Sequence, residues 1–75
     1  MPPTFRDLKR YVERDRWTLV RSTDHWYYEK VLADGRVLRT KVSRSLRREI
    51  PKHLWERILK HQLQTTEDEF RKRIR

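Results

Sequence analysis

The chain has no cysteine, which removes disulfide frameworks, thiolate metal centres and a cysteine nucleophile from consideration. It has a single glycine, so no glycine-rich loop can cradle a nucleotide phosphate. No apolar run approaches the ~18–20 residues needed to cross a bilayer, and MPPTFRDLKR at the N-terminus lacks a signal-peptide apolar region. A small cytoplasmic protein with no membrane association is therefore expected. Metal ligation is also thinly provided for. Of the three histidines, His53 and His61 share a helical stretch but are separated by two turns, with no third ligand in view. No metal and no cofactor are expected.

What is abundant is positive charge. The 75 residues carry 20 Lys and Arg against 11 Asp and Glu, a net charge of +9, and 14 of the basic residues are Arg. The planar guanidinium fork matches phosphate in two-point contacts and stacks on bases. Such an excess attracts a polyanion, and nucleic acid is the commonest in the cytosol; the plainer alternative is solubility. Eight aromatic residues, Trp17, Trp26 and Trp55 among them, indicate a real core rather than a disordered chain. The length suits one domain spanning 1–75.

Thr4 followed by Asp7 is a near-variant of a capping box, and Phe5, Leu8, Tyr11 and Val12 recur at helical spacing. This predicts a helix over 4–14. Strand-like runs follow at 17–22, 25–32 and 37–42, rich in β-branched and aromatic residues. Asp34-Gly35 between the last two is a hairpin signal. Taken as a two-residue loop, it pairs Val31 with Leu38, Glu29 with Thr40 and Tyr27 with Val42. Tyr27, Val31, Leu38 and Val42 would then face the core, leaving Trp26, Tyr28 and Lys30 with Arg39 and Lys41 on the open face. A slip of one residue would exchange the faces. Pro51 reads as the first residue of a second helix with Leu54, Trp55, Ile58 and Leu59 as its apolar stripe. Thr66 and Glu69 form a second capping box before Phe70 and Ile74. The order α-β-β-β-α, plus a short C-terminal helix, is an α+β two-layer arrangement similar to that of double-stranded RNA-binding domains.

His25 opens the second strand beside the polar turn Ser22-Thr23-Asp24. Histidine changes charge near neutrality and can move a proton to or from a ribose hydroxyl or a leaving 5′ oxygen; a lone strand-end histidine is more often structural. Trp26 and Tyr28 could stack on bases or cover a protein partner. Arg21, Lys30, Arg39, Lys41 and the cluster Arg44, Arg47 and Arg48 are candidate phosphate contacts.

These pieces, in this order, resemble the HicA family of bacterial toxin–antitoxin systems: Trp17 after the first helix, Arg21-Ser22 before the turn, His25, Ile58-Leu59-Lys60 and Glu67-Asp68-Glu69-Phe70. The resemblance spans roughly residues 5 to 70. Arg16 stands where the family has glycine, and Thr23-Asp24 where it has Gly-Ser. The resemblance implies a metal-independent endoribonuclease that cleaves mRNA through one histidine, here His25. It also implies a HicB-like antitoxin protein that covers that histidine. The alternatives on the same fold are a non-catalytic RNA-binding module, or a protein-interaction partner docking through its aromatic sheet face.

Overall fold

The computed structural model describes residues 2–75. Helix α1 spans Phe5–Arg14. Its capping box closes in both directions: Thr4 Oγ1 accepts from the Asp7 amide at 3.3 Å, and Asp7 Oδ2 accepts from the Thr4 amide at 2.9 Å. Phe5, Leu8, Tyr11 and Val12 are all buried, as their spacing predicts. The helix ends at Asp15, and Arg16 then turns the chain with φ +62°. That is the left-handed region in which glycine is at ease and other residues are strained.

The strands β1 (Thr18–Ser22), β2 (His25–Val31) and β3 (Val37–Ser43) form one antiparallel sheet in the order β1-β2-β3. The hairpin between β2 and β3 corrects the two-residue expectation. The Gly35 amide donates to the Leu32 carbonyl (2.9 Å) and the Leu32 amide to the Arg36 carbonyl (2.8 Å). Gly35 has φ +92°. Asp34 Oδ1 also accepts from the Arg36 amide at 3.0 Å. Ala33-Asp34-Gly35 is thus a three-residue loop, a turn followed by a left-handed glycine. Val31 pairs with Val37, Tyr28 with Thr40 and Trp26 with Val42.

Because side chains alternate, that one added loop residue exchanges the faces of β2, while β3 keeps Leu38 and Val42 inside and Arg39 and Lys41 outside as expected. Tyr28, Leu38, Thr40 and Val42 are buried under the helices. Tyr27, Glu29, Val31, Arg39 and Lys41 lie on the other face. The contrast is large: Tyr28 is 4% exposed and Val31 68%. At the free edge, β1 bulges at Val20 between the pairs Leu19–Tyr28 and Arg21–Tyr27, and all five of its residues are exposed.

Pro51 caps α2 rather than beginning it; α2 is Lys52–Arg57 and runs directly into a π-helical segment, Ile58–Leu63. This segment packs against β3 and ends on Gln64 with φ +52°. Helix α3 (Glu67–Ile74) starts at Thr66, whose Oγ1 accepts from the Glu69 amide at 3.2 Å. Phe70 is fully buried. It stacks on Tyr11 at 5.0 Å and meets Trp55 edge-on at 4.7 Å, joining α1, α2 and α3. Asp15 gathers Lys30 (2.7 Å), Trp17 Nε1 (3.1 Å) and Arg73 (3.5 Å), so a largely buried carboxylate is both paired and hydrogen-bonded. Among the described residues no helix is long and apolar enough to cross a membrane. The architecture is α+β, with the helices on one face of the sheet.

Candidate functional site

Residues 46–50 pass along the start of α1. The Phe5 amide donates to the Arg48 carbonyl (3.1 Å), the Arg6 amide to the Leu46 carbonyl (3.0 Å) and the Ile50 amide to the Pro3 carbonyl (2.9 Å). This stitching sets Arg48 beside the β3 end of the sheet. Together they enclose a cleft of about 260 Å³ lined by Phe5, His25, Lys41, Ser43, Arg48, Pro51, Leu54, Ile58 and Gln62. The cleft has an apolar wall (Phe5, Pro51, Leu54, Ile58) facing a polar rim (His25, Lys41, Ser43, Arg48). Lys41 and Arg48 are exposed, and among the described residues neither lies within salt-bridge distance of a carboxylate.

His25 begins β2 opposite Ser43. Its Nδ1 is buried and has no hydrogen-bond partner among the described residues. Asp24 does not orient the ring. Its Oδ1 accepts from Thr23 Oγ1 at 2.9 Å and from the Tyr27 hydroxyl at 3.0 Å. These two bonds, in that order of importance, hold its carboxyl down at about 2. The charge is thus tied to two hydroxyl donors on the turn. Tyr27 lies 6.2 Å from the His25 ring, and the Arg21 guanidinium covers Tyr27 at 4.1 Å.

The candidate phosphate and base contacts divide into groups. His25, Lys41 and Arg48 meet at the cleft, while Arg21 lies outside it, over the Tyr27 ring on the open face. Arg39 shares the open face but is paired with Glu29 at 2.9 Å. Tyr28 and Lys30 are on the helix side: Tyr28 is core, and Lys30 is bonded to Asp15, so neither is presented to a base or a phosphate. Trp26 is also on that side, covered by Lys9 at 5.1 Å and Arg44 at 4.5 Å. Arg44 is further held by the Thr23 carbonyl (2.9 Å) and Ser22 Oγ (2.7 Å); it clamps the β1–β2 turn. Arg47 is exposed and stands apart from the cleft. No group of three or more His, Asp or Glu able to hold a metal occurs among the described residues.

Sequence reasoning missed the apolar wall and Gln62. A signal was present: Leu54, Ile58 and Gln62 follow one another at intervals of four, so a polar residue continues an apolar stripe. In comparisons with known proteins, no family model, no curated protein and no solved structure matches the chain.

Proposed function

We propose that the protein is a metal-independent endoribonuclease acting on mRNA, the toxin of a HicA-like toxin–antitoxin pair, with His25 as its proton-transfer group. The observation that carries this reading is the cleft: one histidine and two unpaired cations, Lys41 and Arg48, rim an apolar hollow. RNA supplies its own nucleophile. The 2′-oxygen attacks phosphorus as the bond from phosphorus to the 5′-oxygen breaks, giving a 2′,3′-cyclic phosphate and a 5′-hydroxyl. One proton leaves the 2′-hydroxyl and one reaches the 5′-oxygen; His25 handles one of these transfers. Lys41 and Arg48 offset the charge that grows on the phosphoryl oxygens, with Arg21 placed for the neighbouring phosphate. The Asp24 carboxylate stays ionised, but Thr23 and Tyr27 hold it on the turn and it does not line the cleft. Exposed Leu19, Val20, Val31 and Val37 suit a protein partner; a HicB-like antitoxin there would have to reach the opposite end of β2 from Val31 to cover His25.

The test is incubation of the protein and its His25→Ala variant with a long mRNA in EDTA. Fragments ending in 5′-hydroxyls are expected from the parent alone. Equal cleavage by the variant would remove His25 from the mechanism. Salt-sensitive binding without products would turn the reading into a non-catalytic RNA-binding module.

A further inference from the structure

The apolar wall of the cleft is not needed to hold a phosphate, and Gln62 is its one neutral amide. Gln62 Oε1 accepts a 2.6 Å hydrogen bond from Thr40 Oγ1, a hydroxyl buried in the sheet. Fixing the carbonyl on Thr40 leaves Nε2 as the open, donating end of the amide. The residue sits in the π-helical segment Ile58–Leu63, a rare geometry that recurs at functional sites. Half-buried Leu54, with the small exposed edges of Phe5 (8%) and Ile58 (2%) behind it, provides an apolar contact for a base face. At about 260 Å³ the hollow is below the ~300 Å³ at which sites for drug-sized ligands begin, and it is large enough for a base.

We infer that this cleft is a single-base subsite, in which an unstacked RNA base lies against Phe5, Leu54 and Ile58 while Gln62 Nε2 donates to a base carbonyl. The inference rests on reading the cleft as an RNA site and adds a sequence preference to it. With the donor at the exocyclic 4-position of a pyrimidine or 6-position of a purine, uracil O4 and guanine O6 are favoured. Cytosine and adenine carry an amino group at that same position, itself a donor, although cytosine keeps its C2 carbonyl elsewhere on the ring. Lys41 and Arg48 at the rim hold the phosphate of the same nucleotide, placing its ribose near His25.

The test uses short 2′-O-methyl oligonucleotides of uniform uridine or cytidine, which present the bases but cannot be cleaved through the 2′-oxygen. Affinities are measured at fixed salt, so the common electrostatic attraction cancels in their ratio. One hydrogen bond against one unsatisfied donor corresponds to about tenfold tighter binding of the uridine oligomer. Gln62→Leu should bring the ratio to near one. Gln62→Glu, which keeps the side-chain shape and turns the open end into an acceptor, should invert it, so the inference does not hang on how the Leu variant folds. Equal affinities in the parent, or a preference that survives both substitutions, would overturn the base subsite even if mRNA is cleaved. Base-selective binding without cleavage would keep the subsite and remove the nuclease reading. No binding of either oligomer together with intact mRNA would end both.

Discussion

The sheet register decides which side chains the protein offers to a ligand, and two adjacent tyrosines test it. Tyr28 is 4% exposed, opposite Thr40 on the helix side. Truncating a buried aromatic to alanine costs about 3–5 kcal/mol, from lost transfer free energy and the cavity left behind. Tyr27, on the open face, loses its contact with the Arg21 guanidinium and its hydrogen bond to Asp24. Those two contacts together are worth about 1–2 kcal/mol at an exposed site. Tyr28→Ala should therefore be the costlier change by about 2 kcal/mol. Urea unfolding followed by tryptophan fluorescence reads this directly. With a urea dependence of about 1 kcal/mol per molar for so small a domain, the two midpoints should differ by about 2 M. A domain of this length has only about 4–11 kcal/mol in total, so Tyr28→Leu is the fallback if the alanine variant is unfolded at zero urea. Equal costs, or a larger one for Tyr27→Ala, would refute the three-residue loop and restore the pairing of Tyr27 with Val42.

Arg16→Gly should stabilise the fold by about 0.5–1 kcal/mol, because φ +62° is strained for Arg and free for glycine. In a thermal melt that is a rise of a few degrees, on the scale of ~4–8 °C per kcal/mol for a domain of this size, and an unchanged or lower midpoint would remove the strain argument. Asp24 should titrate at about 2 against an ordinary 3.8, held down first by Thr23 and then by Tyr27. A group depressed in the folded state stabilises it above its ordinary value and loses that contribution as pH falls through the folded one, so the effect belongs to the window between 3.8 and about 2. Side-chain NMR of Asp24 in the parent and in Tyr27→Phe checks it: the variant should titrate higher, and an identical value would mean the Tyr27 bond is absent in solution.

Local chemistry was well written in the sequence. Thr4 and Asp7 announce the start of α1, the apolar spacing from Phe5 to Val12 gives its buried face, and Thr66 marks the start of α3. These signals act within one turn of helix and need no tertiary context. The β2–β3 register was different. Asp34-Gly35 fits both a two-residue and a three-residue loop, and Ala33 carries nothing that says whether it belongs to strand or turn. A single unresolved residue there was enough to exchange Tyr27 with Tyr28 and to misplace Lys30. At the site, His25, Lys41 and Arg48 could be named because charge and titration are properties of residue types. Their meeting depends on residues 46–50 lying along α1, which backbone bonds decide. Gln62 was hidden for the same reason: its role comes from Thr40, on another element, holding one end of its amide.

Phe70 has a consequence in time as well as in space. It lies between Tyr11 and Trp55, yet it is the last buried core residue in the chain. Arg14 likewise reaches across 61 positions to the Arg75 carbonyl, at 2.6 Å. The first helix is synthesised early and waits for partners about sixty residues downstream. Contacts so distant in sequence form only after the entropy of closing the chain has been met. During translation, then, the nascent chain has Phe5 and His25 long before it has the completed core that holds the cleft in shape.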